Sequence, residues 1–518
     1  MTRLMTLREL FALLAGAATV FGFAPFGAAI VPVTTLALLV LMAQDAATPR
    51  IAARLGFAFG FGLFGAGVSW VYVALNTFGE MPLPLAAVAT AAFCGYLAVF
   101  PAAAGWLAAR FTAPRSWQRA LAGAAAWTAM EWLRSVLFTG FGWLSLGYSQ
   151  PPASALAGYA PIGGTFAVTL AVALAAAFLA LAIDAFARDA RGRAVAWLAA
   201  IAAIGLKGFV LGQIAWTSPA GAPVAVSLVQ GNVAQDVKFD PDFRQRTFDL
   251  YAELVRESRG RLVVLPESAL PVFAAEVPET LLLDMLRTVA ARDGDVMVGL
   301  FTLEPPLAGD VEPRYYNSVV TLGVSDSQRY RKRHLVPFGE TIPLEPVVGW
   351  IMRSLLSIPL ASQARGDPDP PPLAIAGQKV AADICYEDAF GADIRTQAAA
   401  ATLLVNVTND AWYGRSIAAE QHHQISAMRA LETGRPMLRA TNTGITSAIA
   451  HDGREIARLP WFTRGILEVE VEGRQGRTPY VRFGDTPAVV LAVLLFALAV
   501  FAARRVPSFP RRRESPVV

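Results

Sequence analysis

The sequence predicts two kinds of fold in one chain: a polytopic α-helical membrane bundle of about eight spans and an α/β globular domain. Three observations support this. The 518-residue chain is 55% hydrophobic and only 16% charged, against roughly 25% charged in soluble proteins. Long apolar runs fill Leu7–Gln213 and Ala488–Ala503. Between Pro223 and Arg482 the charges return, and short apolar strands alternate with helical stretches.

These composition changes predict three segments: seven spans over 1–222, a globular domain over 223–480, and a final span with a basic tail over 481–518. A span needs ~20 mainly apolar residues. The candidate spans are 7–24, 27–44, 53–75, 84–109, 119–138, 160–184, 194–215 and 485–503. The first resembles a secretory signal, but a second apolar run follows at once. Lys207 lies in the middle of the seventh span. Because the sequence shows no partner for it, we expect a structural or snorkelling role rather than pairing inside the bundle or a functional role.

Arginine placement predicts the orientation of the bundle. Alternate loops and the tail carry arginines: Arg50 and Arg54; Arg110, Arg115 and Arg119; Arg188, Arg191 and Arg193; Arg504, Arg505 and Arg511 to Arg513. The intervening loops are nearly free of positive charge. By the positive-inside rule both termini are cytoplasmic, and the odd seventh span places the globular domain on the outer side.

Composition also narrows the chemistry. A net charge of +4 without a basic stripe does not indicate nucleic acid. Cys94 and Cys385 are the only cysteines, and because one is in an apolar run and one in the globular part, no disulfide is expected. His422 and His423 are adjacent rather than spaced for a shared metal, so packing is the favoured role for both and no cofactor is expected.

Reactive groups follow three segments of the globular part. Glu267 comes just after the apolar run Arg261–Leu265. Lys332 and Glu340 lie in the second segment, 330–340. Cys385 directly follows the run Val380–Ile384. A free thiol has a pKa near 8.5 and needs a base or a positive field to react at neutral pH. A carboxylate can take its proton, and a lysine can stabilise the thiolate and the oxyanion that follows. Each motif by itself is weak, since a buried cysteine is more often inert packing.

Taken in order, Glu267, Lys332 and Cys385 resemble the Glu-Lys-Cys triad of the carbon–nitrogen hydrolase, or nitrilase, superfamily, whose fold is a four-layer αββα sandwich. Further motifs are similar to one membrane-bound branch, the apolipoprotein N-acyltransferases. They are Leu335–Glu340 (LVPFGE), Ile384–Glu387 (ICYE), Thr408–Gly414 (TNDAWYG), Met428–Pro436 (MRALETGRP), Arg439–Gly444 (RATNTG), Glu131–Arg134 (EWLR) and Gly140–Tyr148 (GFGWLSLGY). The resemblance covers nearly the whole chain.

The resemblance implies a role for each residue of the triad. Cys385 is the nucleophile, Glu267 the general base and Lys332 the cation that stabilises the oxyanion. Glu340 is implied to be a second essential carboxylate, which orients Lys332 or protonates the leaving group. The backbone N–H of Tyr386 is a natural oxyanion donor.

Other positions are left open between function and packing. Tyr386, Glu387 and Trp412 either support the reaction or shape the wall of the pocket. Where the family usually has a Lys-Trp pair, this chain has Lys238 and Phe239. Phe239 can replace the tryptophan if that ring only packs against acyl chains, but not if an indole N–H is required.

By the same resemblance the chain is expected to be a bacterial inner-membrane acyltransferase whose domain faces the periplasm. Its acyl donor is implied to be a phospholipid, and its acceptor the α-amine of a diacylglyceryl-modified lipoprotein cysteine, with a thioester intermediate on Cys385. The apolar insertion after Glu340, within 347–360, is expected to gate lipid entry or to form an ordinary buried helix. Two alternatives remain: a membrane-anchored amidase or nitrilase, and a non-enzymatic transporter with an outer binding domain.

Overall fold

The long apolar runs fold as helices in the computed structural model, which describes residues 5–306, 313–342 and 363–505. Thr6, Thr48 and Ser116 cap helices of this part through side-chain oxygens that accept backbone N–H groups. The first eight helices are α1 (Leu7–Thr19), α2 (Ile30–Gln44), α3 (Pro49–Gly67), α4 (Val71–Val73), α5 (Leu83–Phe111), α6 (Trp117–Val136), α7 (Ala160–Ala187) and α8 (Arg191–Gly212). The last apolar run forms Thr486–Arg505.

Four described helices are long and apolar enough to cross a membrane: Leu83–Phe111, Ala155–Ala187, Arg191–Gly212 and Thr486–Arg504. Pro49–Gly67 and Val71–Phe78, which meet at a 58° bend, would make a fifth as one broken span. The first two helices have only 13 and 15 residues. Four or five spans are therefore supported by helix length and composition, and eight spans remains a prediction.

The globular part contains two six-stranded mixed sheets. The first has the order β13-β2-β3-β4-β5-β6 and the second β12-β11-β10-β9-β8-β7. In each, the three central strands are parallel and the flanking pairs antiparallel. The strands are β1 (Thr217–Pro219), β2 (Val224–Gln230), β3 (Leu262–Val264), β4 (Asp295–Glu304), β5 (Arg314–Gly323), β6 (Arg329–Arg331), β7 (Leu373–Ile375), β8 (Gln378–Ile384), β9 (Leu403–Thr408), β10 (Met437–Thr441), β11 (Ser447–Ile449), β12 (Glu455–Arg458), β13 (Gly465–Val471) and β14 (Arg474–Gly476). β1 and β14 pair separately.

The two sheets pack face to face with helices outside, which gives the expected αββα layers. Alternate residues of β2 and β8, such as Val226 and Ala382, point into a shared core between the sheets. The opposite faces meet outer helices: Val263 packs with Leu254, and Leu404 packs with Ala430. The remaining helices are α9 (Arg244–Glu257), α10 (Glu279–Ala290), α11 (Gly391–Ala398), α12 (Ala418–Thr433), α13 (Pro479–Phe483) and α14 (Thr486–Arg505).

A loop between α6 and α7 joins the helical bundle to this domain. Arg134 Nη1 donates to the carbonyl oxygens of Phe141 at 2.5 Å and Trp143 at 2.8 Å, which fixes the loop from inside the bundle. Trp143 stacks on Tyr386, with ring centroids 6.1 Å apart. The Tyr386 hydroxyl donates to the carbonyl of Gly140 at 2.8 Å. The bundle therefore contacts the residue next to Cys385 directly.

Candidate active site

Cys385 lies directly after β8, at the carboxyl end of a parallel strand, where α/β domains commonly bind ligands. It begins a short 3₁₀ helix, Cys385–Ala389, and its φ angle is 57°. A non-glycine residue in this left-handed region costs about 1–3 kcal/mol, so the surroundings must impose it. Two side chains hold the Cys385 carbonyl oxygen: Asn406 Nδ2 at 3.0 Å and His422 Nε2 at 3.2 Å.

Lys332 is a buried cation between two carboxylates. Its Nζ lies 2.7 Å from Glu340 Oε1 and 3.4 Å from Glu267 Oε1. Burial disfavours the charged ammonium, but the charges of Glu340 and Glu267 outweigh it and hold the pKa of Lys332 well above its ordinary value. Lys332 is therefore charged at neutral pH.

Both carboxylates are themselves oriented by hydrogen bonds. Asn317 Nδ2 donates to Glu267 Oε1 at 2.7 Å, and the Val336 backbone N–H donates to Glu340 Oε2 at 2.8 Å. Glu340 thus contacts both Lys332 and its own loop, whereas Glu267 lies between Lys332 and the strand β5 that carries Asn317. Each carboxylate is therefore held by a donor other than Lys332, which orients it towards the ammonium.

The Cys385 thiol is neutral at rest. Burial raises its pKa, and the negative charge of Glu267 raises it further, while Lys332 acts in the opposite direction. The net result is a pKa well above the ordinary value. The sulfur therefore becomes a thiolate only when a neighbouring base removes its proton during the reaction.

Glu387 ties the cysteine turn to the lysine segment. Its buried carboxylate accepts four hydrogen bonds, two at each oxygen. The donors are the backbone N–H groups of Arg333 at 2.8 Å, His334 at 3.0 Å and Ile384 at 2.7 Å, and the hydroxyl of Tyr330 at 2.8 Å. Because these donors flank Lys332 on one side and Cys385 on the other, Glu387 sets the distance between the two segments.

The two other aromatic residues named from the sequence lie at the surface of the domain. Phe239 is 50% exposed, with its ring centroid 6.4 Å from that of Phe301. Trp412 is 41% exposed and meets Phe78 of the bundle edge-on at 6.0 Å. Replacement of the family's tryptophan by Phe239 stays a prediction.

Lys238 is a site residue that the sequence named only as a partner of Phe239, without a role. It is buried, and its Nζ donates to the Glu267 carbonyl oxygen at 3.0 Å. Burial lowers the pKa of Lys238 to about 8, although the charges of Glu267 and Cys385 act to raise it. A lysine beside an exposed phenylalanine gives no sign of burial, so the sequence offered little signal.

The structure also locates the remaining predicted features. The described residues contain no group of three or more His, Cys, Asp or Glu side chains that could hold a metal ion. Lys207 is exposed on α8, and its structural or snorkelling role stays a prediction. The apolar insertion at 347–360 and the basic tail beyond residue 505 lie outside the described residues.

The fold and the site define a carbon–nitrogen hydrolase domain joined to a helical bundle that is embedded in a membrane. Residues 225–480 match the family model described as carbon-nitrogen hydrolase, and residues 15–178 match the one described as apolipoprotein N-acyltransferase N-terminal domain. The chain belongs to the apolipoprotein N-acyltransferase family, as the sequence motifs indicated.

Curated relatives match along almost their whole length. An apolipoprotein N-acyltransferase of Nitrosomonas europaea is 49% identical over 95% of this chain and 97% of its own. One from Methylococcus capsulatus is 42% identical over 98% of both chains. One from Ralstonia nicotianae is 42% identical over 91% of this chain and 89% of its own. These matches include the bundle as well as the hydrolase domain.

Proposed function

We propose that this protein transfers a fatty acyl chain from a phospholipid to the N-terminal α-amine of a diacylglyceryl-cysteine, the last step of lipoprotein maturation. The acyl group passes through a thioester on Cys385. One observation carries the proposal: a neutral thiol on a strained turn lies within the field of a carboxylate–ammonium–carboxylate set, in a domain packed on a membrane bundle. The names of the relatives support the lipoprotein acceptor.

In the first half-reaction, Glu267 takes the proton from the Cys385 thiol as the sulfur attacks the ester carbonyl carbon of the phospholipid. The carbonyl oxygen becomes an oxyanion, stabilised by the Lys332 ammonium and the backbone N–H of Tyr386. The C–O ester bond then breaks. The departing glycerol oxygen takes the proton back from Glu267 and leaves as part of a lysophospholipid.

In the second half-reaction, the α-amine of the lipoprotein cysteine attacks the thioester carbon. Glu267 accepts a proton from the attacking nitrogen, and Lys332 again faces the oxyanion. The C–S bond breaks, the amide forms, and the Cys385 thiolate regains a proton from Glu267. Glu340 holds Lys332 in position throughout, through its 2.7 Å hydrogen bond.

The orientation follows from the arginines. Arg110, Arg188 and Arg504 lie at the carboxyl ends of α5, α7 and α14. The hydrolase domain is attached to the carboxyl end of α8 and to the amino end of α14, away from Arg191 and Arg504. We infer that both termini are cytoplasmic and that the domain lies on the periplasmic side of the inner membrane. Both substrates are lipid-borne, which accounts for a membrane-bound member of the hydrolase fold.

The test is intact-mass analysis of the protein after incubation with phospholipid alone. One acyl adduct, removed by hydroxylamine, is expected on wild type and on the matched control Cys94→Ala, and none on Cys385→Ala. Adding a diacylglyceryl-cysteine peptide should discharge the adduct to the N-acyl peptide. The alternative, a membrane-anchored hydrolase, instead predicts steady release of fatty acid without peptide. Absence of an adduct on folded wild-type protein would overturn the proposal.

A further inference from the structure

A cluster of buried charged side chains lies against the turn that begins at Cys385. It comprises Asp388, Asp410, His422 and Arg439, each at most 2% exposed in the side chain. Asp388 lies in the turn that Cys385 begins, Asp410 follows β9, and His422 and Arg439 come from α12 and β10. Isolated charges this deep cost several kcal/mol each, so the cluster must be neutral overall.

The hydrogen bonds of His422 determine its protonation. Its Nδ1 lies 2.7 Å from Asp410 Oδ1 and its Nε2 lies 2.9 Å from Asp388 Oδ1. A neutral imidazole has one N–H and one lone pair, so one ring nitrogen would direct its lone pair at a carboxylate. Arg439 Nη1 lies 2.9 Å from Asp388 Oδ2. Asp383, also buried beside the cluster, stays protonated because burial and the charge of Asp388 raise its pKa well above the ordinary value. With Asp388 and Asp410 ionised and Arg439 charged, the cluster becomes neutral when His422 carries both protons.

The electrostatics agree with this proton count. Burial lowers the pKa of His422 and Arg439 opposes its charge, but Asp388 and Asp410 together raise the pKa to about 9. The neighbouring His423 is the opposite case, because burial and nearby cations lower its pKa to about 3. Adjacent histidines on one helix therefore hold different charges at neutral pH.

His422 also contacts the turn of the nucleophile. Its Nε2 lies 3.2 Å from the Cys385 carbonyl oxygen as well as 2.9 Å from Asp388, so one N–H faces both the first residue of the 3₁₀ turn and one three positions later. Asn406 Nδ2 is the second donor to the same carbonyl. The left-handed conformation of Cys385 depends on these two donors, because no glycine is present to adopt it without cost.

We propose that His422 is a positioning residue for acyl transfer: a doubly protonated imidazolium that holds the Cys385 backbone in its reactive conformation through the Cys385 carbonyl. The inference rests on the proposed function, in which Cys385 is the nucleophile. When His422 loses its Nε2 proton, a ring lone pair faces both Asp388 Oδ1 and the Cys385 carbonyl oxygen, and the turn loses one of its two donors. Acylation then falls at alkaline pH although Lys332 keeps its charge.

The first experiment compares His422→Gln with the matched control His423→Gln. Single-turnover acylation by phospholipid at pH 7 should be about 10- to 100-fold slower in His422→Gln, as expected when the attacking group is misplaced by a fraction of an ångström to 1 Å. In wild type and His423→Gln the rate should fall as pH passes about 9, a limb assigned to His422. His422→Gln should lack that limb. A wild-type rate and limb in folded His422→Gln would overturn the proposal.

A second measurement does not depend on activity or on the variant folding well. The chain has four histidines, so ¹⁵N-histidine NMR of the full-length protein in lipid can resolve each ring. At pH 7.5 one signal should report both nitrogens protonated and should lose a proton near pH 9. A neutral His422 would overturn the proposal even if acylation is normal. Conversely, absence of any Cys385 adduct in wild type would refute the proposed function but leave the charged histidine in place.

Discussion

The substitution Glu387→Gln should lower the free energy of unfolding by about 3 kcal/mol and slow the acylation of Cys385. The carboxylate of Glu387 accepts four hydrogen bonds and is buried, whereas an amide has one oxygen and two N–H donors. Tyr330 can adapt, since its hydroxyl can rotate and accept from the new amide. The N–H of Ile384, just before the nucleophile, cannot.

The magnitude follows from these contacts. An orphaned buried N–H at Ile384 costs about 1–3 kcal/mol. The N–H groups of Arg333 and His334 keep an acceptor but lose its charge, at about 1 kcal/mol each. Part of this is returned, because burial raises the pKa of Glu387 and so disfavours the charge that the substitution removes. The net loss is about 3 kcal/mol.

The assay is denaturant unfolding in detergent micelles, followed by single-turnover acylation under folded conditions. Tyr330→Phe is the matched control: it removes one donor to the same carboxylate without leaving any N–H unpaired, so about 1 kcal/mol is expected. If the free energy of unfolding of Glu387→Gln lies within 0.5 kcal/mol of wild type, roughly the scatter of surface substitutions, the four hydrogen bonds to Glu387 have no energetic role and the reasoning is wrong.

Three further outcomes are expected. In Lys238→Met, the free energy of unfolding between pH 7 and 8 should rise by about 3 kcal/mol. In wild type the buried ammonium is disfavoured below its folded pKa of about 8, and this penalty disappears as the pH rises towards the ordinary lysine pKa of 10.5. Unfolding at several pH values measures the difference. Glu340→Gln should nearly abolish acylation, because Glu340 is the carboxylate that holds the Lys332 ammonium at 2.7 Å; near wild-type acylation by the folded variant would contradict this. Arg134→Lys should destabilise the protein by about 2 kcal/mol, seen as a lower melting temperature, because an ammonium lacks the fork that binds several groups of the loop.

Much of the site could be predicted because it lies at strand ends. Glu267 and Cys385 follow apolar runs that form β3 and β8, at the carboxyl ends of parallel strands in the two facing sheets. Lys332 follows an edge strand, and the same reasoning placed it correctly beside Glu267. The face-to-face packing of the two sheets was expected only from the family resemblance, and alternating burial along β2 and β8 agrees with it.

The number of spans was harder to predict, because apolar composition and helix length are different properties. The run at 7–24 is mainly apolar, with Arg8 and Glu9 near its start, but α1 ends at Thr19 and the chain turns before α2 begins. The α6 segment is bounded by caps and arginines, with Glu131 and Arg134 buried where a simple span has apolar residues. These charges serve the loop that contacts the catalytic domain.

The sequence by itself determined the family and the two kinds of fold, and it predicted the residues of the triad, because these depend on local patterns: hydrophobic period, strand ends and short motifs. Only the tertiary structure decided that Lys238, His422 and Trp143 belong to the site. Trp143 and Tyr386 are far apart in the chain yet stack in space, and a buried charge is recognised only by the partners that folding brings to it. Burial and pairing are properties of the packed molecule, so the charge states around Cys385 could not be read from residue types alone.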